Sequence, residues 1–187
     1  MKQFTSAIDS VLKSAGFRRS RSVWNRAVGE FVDVIDLQCS KSNDLVTMNL
    51  GVVYPKAYTA CWGEPLPSYV VEPRATVRIR IGHLLGVGDQ WWPRETMATN
   101  EAILTALTEH ALPFFDRMHS LEAIERLLTD QSRSSSGYPP PSIYLAAIKH
   151  SLGDASGACE LLTSLREATS GPWGTKIAHA ETFLGCR

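Results

Sequence analysis

The spacing of apolar residues changes character several times along the chain. In residues 2–15, Phe4, Ile8, Val11, Leu12 and Ala15 share one stripe at helical spacing, and Gly16 stands where a C-terminal cap belongs. Phe17 is expected to fold back against that helix. The period then drops to two. Val23–Arg26, Phe31–Ser40, Leu45–Tyr54 and Thr76–Leu85 read as strands, and the short connections AVGE and KSND suit antiparallel hairpins. In the third run Val46, Met48, Leu50, Val52 and Tyr54 share one parity against Thr47, Asn49 and Gly51; in the fourth, Val77, Ile79 and Ile81 oppose Arg78 and Arg80. Parity conflicts between Asp33 and Asp36, which calls for a bulge near Ile35 or a strand covered on both faces. Beyond it Leu37 and Cys39 are expected to face inward, with Gln38 and Ser40 outward.

The proline-containing stretch from Pro55 to Pro73 reads as a long irregular excursion between strands. A turn-rich loop, GVGDQWWPRET, precedes an amphipathic helix over Thr99–Met118, with Ile103, Leu104, Leu107 and Leu112 as its buried stripe and Pro113 as a kink or break. LEAIERLLTD predicts another helix. After it, PSIYLAAIKHSLGDASGACELLTSLREA predicts two helices turned back on each other at Gly153 and Asp154, resembling the turn of a tetratricopeptide repeat. PWGTKIAHAETFLG supplies a last short helix. The expected fold is therefore α+β: a four-stranded antiparallel meander packed with helices, plus a C-terminal helical annex. The expected domains are an α+β core over 1–130, a Ser/Pro-rich linker over 131–141 and the annex over 142–187, with one tetratricopeptide-like hairpin.

Composition narrows the class. The chain has 187 residues, 44% hydrophobic and 20% charged, enough for one ordinary soluble core. The N-terminal residues lack a secretory pattern, and no apolar run approaches the roughly 20 residues of a membrane span, so the expected compartment is the cytoplasm. Cys39, Cys61, Cys159 and Cys186 are widely spaced with no C-x-x-C pair, which points to buried free thiols. Net charge is zero but uneven: residues 1–80 carry 11 Lys and Arg against 7 acids, and residues 81–187 carry 8 against 12. That asymmetry can orient an encounter with a charged partner. It falls well short of a nucleic-acid-binding stripe, and the three cations Arg18, Arg19 and Arg21 read as a solvated corner.

Several short patterns occur together in order. LKSAGFRR over 12–19, W-x-R at Trp24 and Arg26, Q-x-S at Gln38 and Ser40, T-x-N-x-G-V over 47–52, RIG over 80–82 and D-x-W-W over 89–92 together resemble an uncharacterised bacterial family, domain of unknown function 4304, over about residues 5–118. The resemblance implies a bacterial cytoplasmic α+β domain and brings no catalytic residues with it.

Function must then be read from side chains. On the meander, Gln38, Ser40, Thr47, Asn49, Arg78 and Arg80 share one face, bordered by Trp24 or Arg26. Amides, hydroxyls and guanidinium groups gathered there suit fixed hydrogen bonds, either within the chain or to a partner. Trp91 and Trp92 supply ring area that either anchors a partner or closes over the sheet. These ten residues form the candidate binding set. Asp33 and Asp36 point to opposite faces on a regular strand and cannot act as a carboxylate pair. The five histidines show no metal-ligand spacing, and no nucleophile, phosphate-loop or dinucleotide pattern is present, so neither a catalytic residue nor a metal or cofactor is assigned. The expected role is non-catalytic protein binding, with neutralisation of a toxin by an immunity or antitoxin-like protein as its specific form. The acidic residues Glu101, Glu109, Asp116, Glu122, Glu125 and Asp130 favour a basic partner. The alternative is a small-anion or nucleotide-handling domain, enzymatic or not, that uses Arg78, Arg80, Asn49 and Gln38. Nucleic-acid binding ranks last.

Overall fold

Gly16 ends the first helix by a left-handed turn at φ +88°, a conformation that costs glycine little. Its N–H bonds the Lys13 carbonyl while the Phe17 N–H reaches back to Leu12, so α1 (Lys2–Ser14) closes in a Schellman cap and Phe17 returns to the core. The computed structural model describes residues 2–94, 96–134 and 138–186. The side chains of residues 2–5, Phe4 among them, and of 132–134 lie outside the described set, as does part of the linker expected at 131–141.

The sheet is antiparallel, in the order β1 (Arg18–Ser20), β2 (Val23–Val28), β3 (Phe31–Cys39), β4 (Leu45–Val53) and β5 (Val77–Arg80), with β6 (Trp92–Pro93) paired to β4. The α+β class and the C-terminal helices are as expected, but among the described residues the sheet has six strands and not four. β1 escapes an apolar-alternation reading because its three residues are all exposed. The Ser20 N–H donates to the Tyr69 hydroxyl at 2.8 Å, which ties β1 to a residue 49 positions away. The fourth expected strand stops at Arg80, where α3 (Ile81–Leu84) takes over.

The β2–β3 register is continuous from Val23↔Asp36 to Val28↔Phe31, so the parity conflict is not a bulge. Val34 and Ile35 are both fully buried because β3 is covered on both faces. The same holds for β4. Val46, Met48, Leu50 and Val52 are buried as expected, yet Thr47 and Asn49 on the other parity are buried too. Residues 69–75 account for one part of this cover: a Cβ on Gly51 would stand 2.5 Å from the Ala75 Cβ, so glycine is what lets that segment lie against the strand. Cys39, expected inward, is exposed.

Helices α1, α4 (Met97–Thr105) and α5 (Leu112–Met118) belong with this sheet. α4 and α5 are joined by a π-helical segment, Ala106–Ala111, in which the Leu112 N–H bonds Leu107 O, one residue before Pro113. Together with residues up to 52 and from 69 to 117 they form one compact unit.

Residues 53–68 and 118–187 form a second unit, whose described elements, apart from Val53 at the end of β4, are the helices α2 (Pro55–Trp62), α6 (Leu121–Ser134), α7 (Pro140–Ser151), α8 (Ala155–Ala168) and α9 (Trp173–Phe183). The Pro55–Pro73 stretch is thus not irregular throughout. Pro55 opens α2, where its missing N–H costs nothing, and Gly63 ends it in the left-handed region. α7 and α8 turn at Gly153, with the Asp154 side chain accepting from the Gly157 N–H at 2.9 Å. Cys159 and Cys186 form a disulfide, which corrects the expectation of free thiols at those two positions; Cys61 is buried and free. Spacing could not show that pair because α8 and α9 must fold before the two cysteines meet. Among the described residues no helix is long and apolar enough to cross a membrane.

Candidate functional site

Arg80 closes β5 directly opposite Asn49 of β4. Its Nε donates to Asn49 Oδ1 at 3.1 Å, one terminal nitrogen reaches Gln38 Oε1 at 3.3 Å, and the other pairs with Asp89 at 2.5 Å. Asn49 Nδ2 in turn donates to the same Gln38 oxygen at 2.9 Å. Gln38 Oε1 therefore accepts twice and is the acceptor shared by Asn49 and Arg80. Two strands and the loop after α3 are joined through one guanidinium.

The loop is seated by independent contacts. Thr47 Oγ1 donates to the Gln90 carbonyl at 2.7 Å, and Gly82 lies so close that a Cβ there would sit 2.0 Å from the Gly88 oxygen. Trp91 then stacks on Arg80, with the guanidinium carbon 5.4 Å from a ring centroid, while its indole N–H donates to the second Asp89 oxygen at 3.1 Å. The bond from Arg80, then that from Trp91, hold the exposed Asp89 carboxyl below its ordinary range.

At the other end of this face Arg78 makes two bonds to Glu72, at 2.9 and 3.1 Å. Glu72 is buried, whereas the Arg78 side chain is 46% exposed. Asp36 lies on the same face, accepting from Ser22 Oγ at 3.2 Å. Burial raises its pKa; the Ser22 bond opposes the shift and nearby Glu72 adds to it.

The structure brings Gln38, Asn49, Arg80 and Trp91 into one network, with Thr47 anchoring the adjoining loop. Arg78 shares their face through its ladder partner Gly51, next to Asn49. Ser40 belongs to the hairpin turn, where it donates to Asp44 at 2.7 Å and accepts from the Leu45 N–H. Trp92 enters the β4 ladder opposite Val46. Trp24 and Arg26 lie on the opposite face: Trp24 is buried and donates to Asp9 of α1, and Arg26 pairs with the fully buried Asp33 at 2.8 Å while stacking on Phe17. Their ladder partners Ile35 and Asp33 have the parity opposite to Asp36, so the β2–β3 register places them away from the polar network. Asp36, Glu72 and Asp89 complete the face and were absent from the candidate binding set; Asp36 had been weighed only as a partner of Asp33, and Asp89 only as part of D-x-W-W. Asp89 was the most accessible of these, standing two positions before Trp91.

Neither a curated protein nor a solved structure matches the chain. A family model matches residues 8–117, more than half of its length, and spans every residue of this network. The chain belongs to the family described as a domain of unknown function (DUF4304).

Proposed function

We propose that this chain is a non-catalytic protein-binding protein whose docking surface is the polar sheet face around Arg80, and that its role is that of a bacterial, cytoplasmic immunity or antitoxin-like protein that neutralises a toxin. One observation carries this reading: the Arg80 guanidinium is already engaged by Gln38, Asn49 and Asp89 and stacked on Trp91, so the surface is ordered before any partner arrives. A surface fixed in advance loses little conformational entropy on association. Exposed Gln38 contributes an amide, and half-buried Trp91 contributes aromatic area, the residue type most often found at the energetic centre of protein interfaces.

The paired charges weigh against the small-anion alternative. Arg78 faces Glu72 and Arg80 faces Asp89, so a phosphate or carboxylate ligand would have to compete with resident carboxylates. Exposed Glu101 and Glu109, on α4 and the π segment, suit a basic partner by long-range steering, whereas Asp116 is paired with Arg26.

The test is co-expression with the product of the adjacent gene followed by co-purification, alongside a thermal-shift screen with nucleotides and acidic metabolites. A stable complex whose formation weakens with salt supports the proposal. Stabilisation by a nucleotide that disappears in Arg80→Ala, without a protein complex, replaces it with the ligand-binding reading.

A further inference from the structure

We propose that the Cys159–Cys186 disulfide is a reducible latch that holds α9 in place on α2. The bridge joins the first half of α8 to the segment after α9 across 27 positions of sequence. It lies outside residues 8–117, so it belongs to the helical unit and not to the family domain. Both cysteines are half-buried, which leaves the bridge within reach of a small thiol.

What the latch controls follows from the contacts of α9. Trp173 packs edge-on against Trp62 at the end of α2, with ring centroids 6.1 Å apart. Lys176 donates to the Trp62 carbonyl at 2.6 Å and lies over the Trp62 ring, while the His179 ring nitrogen stands 3.3 Å from the Thr59 carbonyl. α9 thus contacts two carbonyls of the last turn of α2: that of Trp62, and that of Thr59, which also accepts from the Gly63 N–H. Near the bridged end, Glu181 pairs with Arg166 of α8 and the Cys186 N–H bonds the Glu181 carbonyl. Breaking the bridge removes the covalent tie of α9 to α8 and leaves its hold on α2 to the contacts of Trp173, Lys176 and His179 alone, so α9 opens from the end of α2 more readily.

The chemistry is thiol–disulfide exchange with a dithiol reductant. Its thiolate attacks Cys186 Sγ, the sulfur–sulfur bond breaks, and the electron pair leaves on Cys159 Sγ, which takes up a proton. The second thiol of the reductant then displaces Cys186 as a thiol, and the reductant departs as its own disulfide. Two electrons and two protons pass to the protein. In a reducing cytoplasm such bridges are mostly transient and regulatory, so the state of this one would report the redox condition of the cell.

The experiment uses the full chain purified without reductant. Thiol titration with an aromatic disulfide should find one reactive thiol in the native protein, the exposed Cys39, and two after unfolding, when the buried Cys61 is added. Four should react after reduction. Native treatment with dithiothreitol should open the bridge and speed amide exchange in α9 and at the end of α2 by about tenfold or more, leaving α1 and the sheet unchanged. The Cys159→Ser/Cys186→Ser double variant should show the fast rates and ignore dithiothreitol. Four thiols in the unreduced chain, a bridge that resists dithiothreitol without denaturant, or unchanged exchange in α9 after reduction would each overturn the proposal.

Discussion

Arg80 and Asn49 face each other across the β4–β5 ladder, and their side chains bond at 3.1 Å on the side of the sheet away from Trp24 and α1. That one pairing fixes Gln38 through a shared oxygen and Trp91 through the guanidinium face. The polar side chains of the central strands are thereby one hydrogen-bonded network, in which Gln38 is exposed and Asn49 buried.

Arg80→Ala removes the hub of the network. Its side chain is 29% exposed, so solvent moderates the loss, and the expected cost to global stability is about 1 kcal/mol in urea unfolding. Locally the effect should be larger: amide exchange in residues 86–92 should accelerate while that of β2 and β3 is retained.

Gly82→Ala should displace the same loop by another route. An added Cβ meets backbone at Gly88 and Gln90, at 2.0 and 2.6 Å, and backbone cannot move aside as a flexible side chain would. The expected penalty is about 2–3 kcal/mol, with Trp91 fluorescence shifted toward that of a solvated indole.

Arg26→Met tests the opposite face. It leaves the fully buried Asp33 without its guanidinium partner, so unfolding free energy should fall by about 3 kcal/mol. Partner binding by the surviving folded fraction should be unaffected, because Arg26 does not share the polar face. A variant that keeps wild-type stability and loses binding would reverse this assignment.

Two carboxylates on the polar face should respond to pH with opposite signs. Asp89 is lowered by Arg80 and Trp91, so its contribution is fully present above the ordinary value of 3.8 and is lost as pH falls through its lower folded value. Asp36 is raised chiefly by burial, so its contribution is fully present below 3.8 and is lost as pH rises through its higher folded value. Asp89→Asn should therefore abolish an acid-induced change in Trp91 fluorescence. Asp36→Asn should flatten the decline in stability above pH 3.8, as read by urea midpoints across the range.

How much of this was legible in the sequence depended on distance along the chain. Period-two alternation located β3 and β4, and Gly16 with Phe17 gave the end of α1, because those signals are local. Arg78 and Arg80 could be placed on one face by parity; that Asn49 joins them follows from the β4–β5 register. Parity within one strand could not show that Trp24 and Arg26 lie on the other face, since that follows from the β2–β3 register. Nor could it show that Thr47 is sealed beneath the loop that returns 43 residues later. Helix α2 was hidden by the prolines around it, although Pro55 is placed to start a helix and not to break one. β1 carries no hydrophobic signal, and the Cys159–Cys186 bridge depends on how two helices dock.

The account is tested most directly by the dissociation constant for the adjacent gene's protein product, measured calorimetrically with the wild-type chain, Gln38→Ala and Trp91→Ala. Both side chains reach the outer side of the network, so each substitution should weaken binding about tenfold or more while the unfolding midpoint moves little. Binding at full strength by both variants would contradict the claim that the face around Arg80 is where the partner docks.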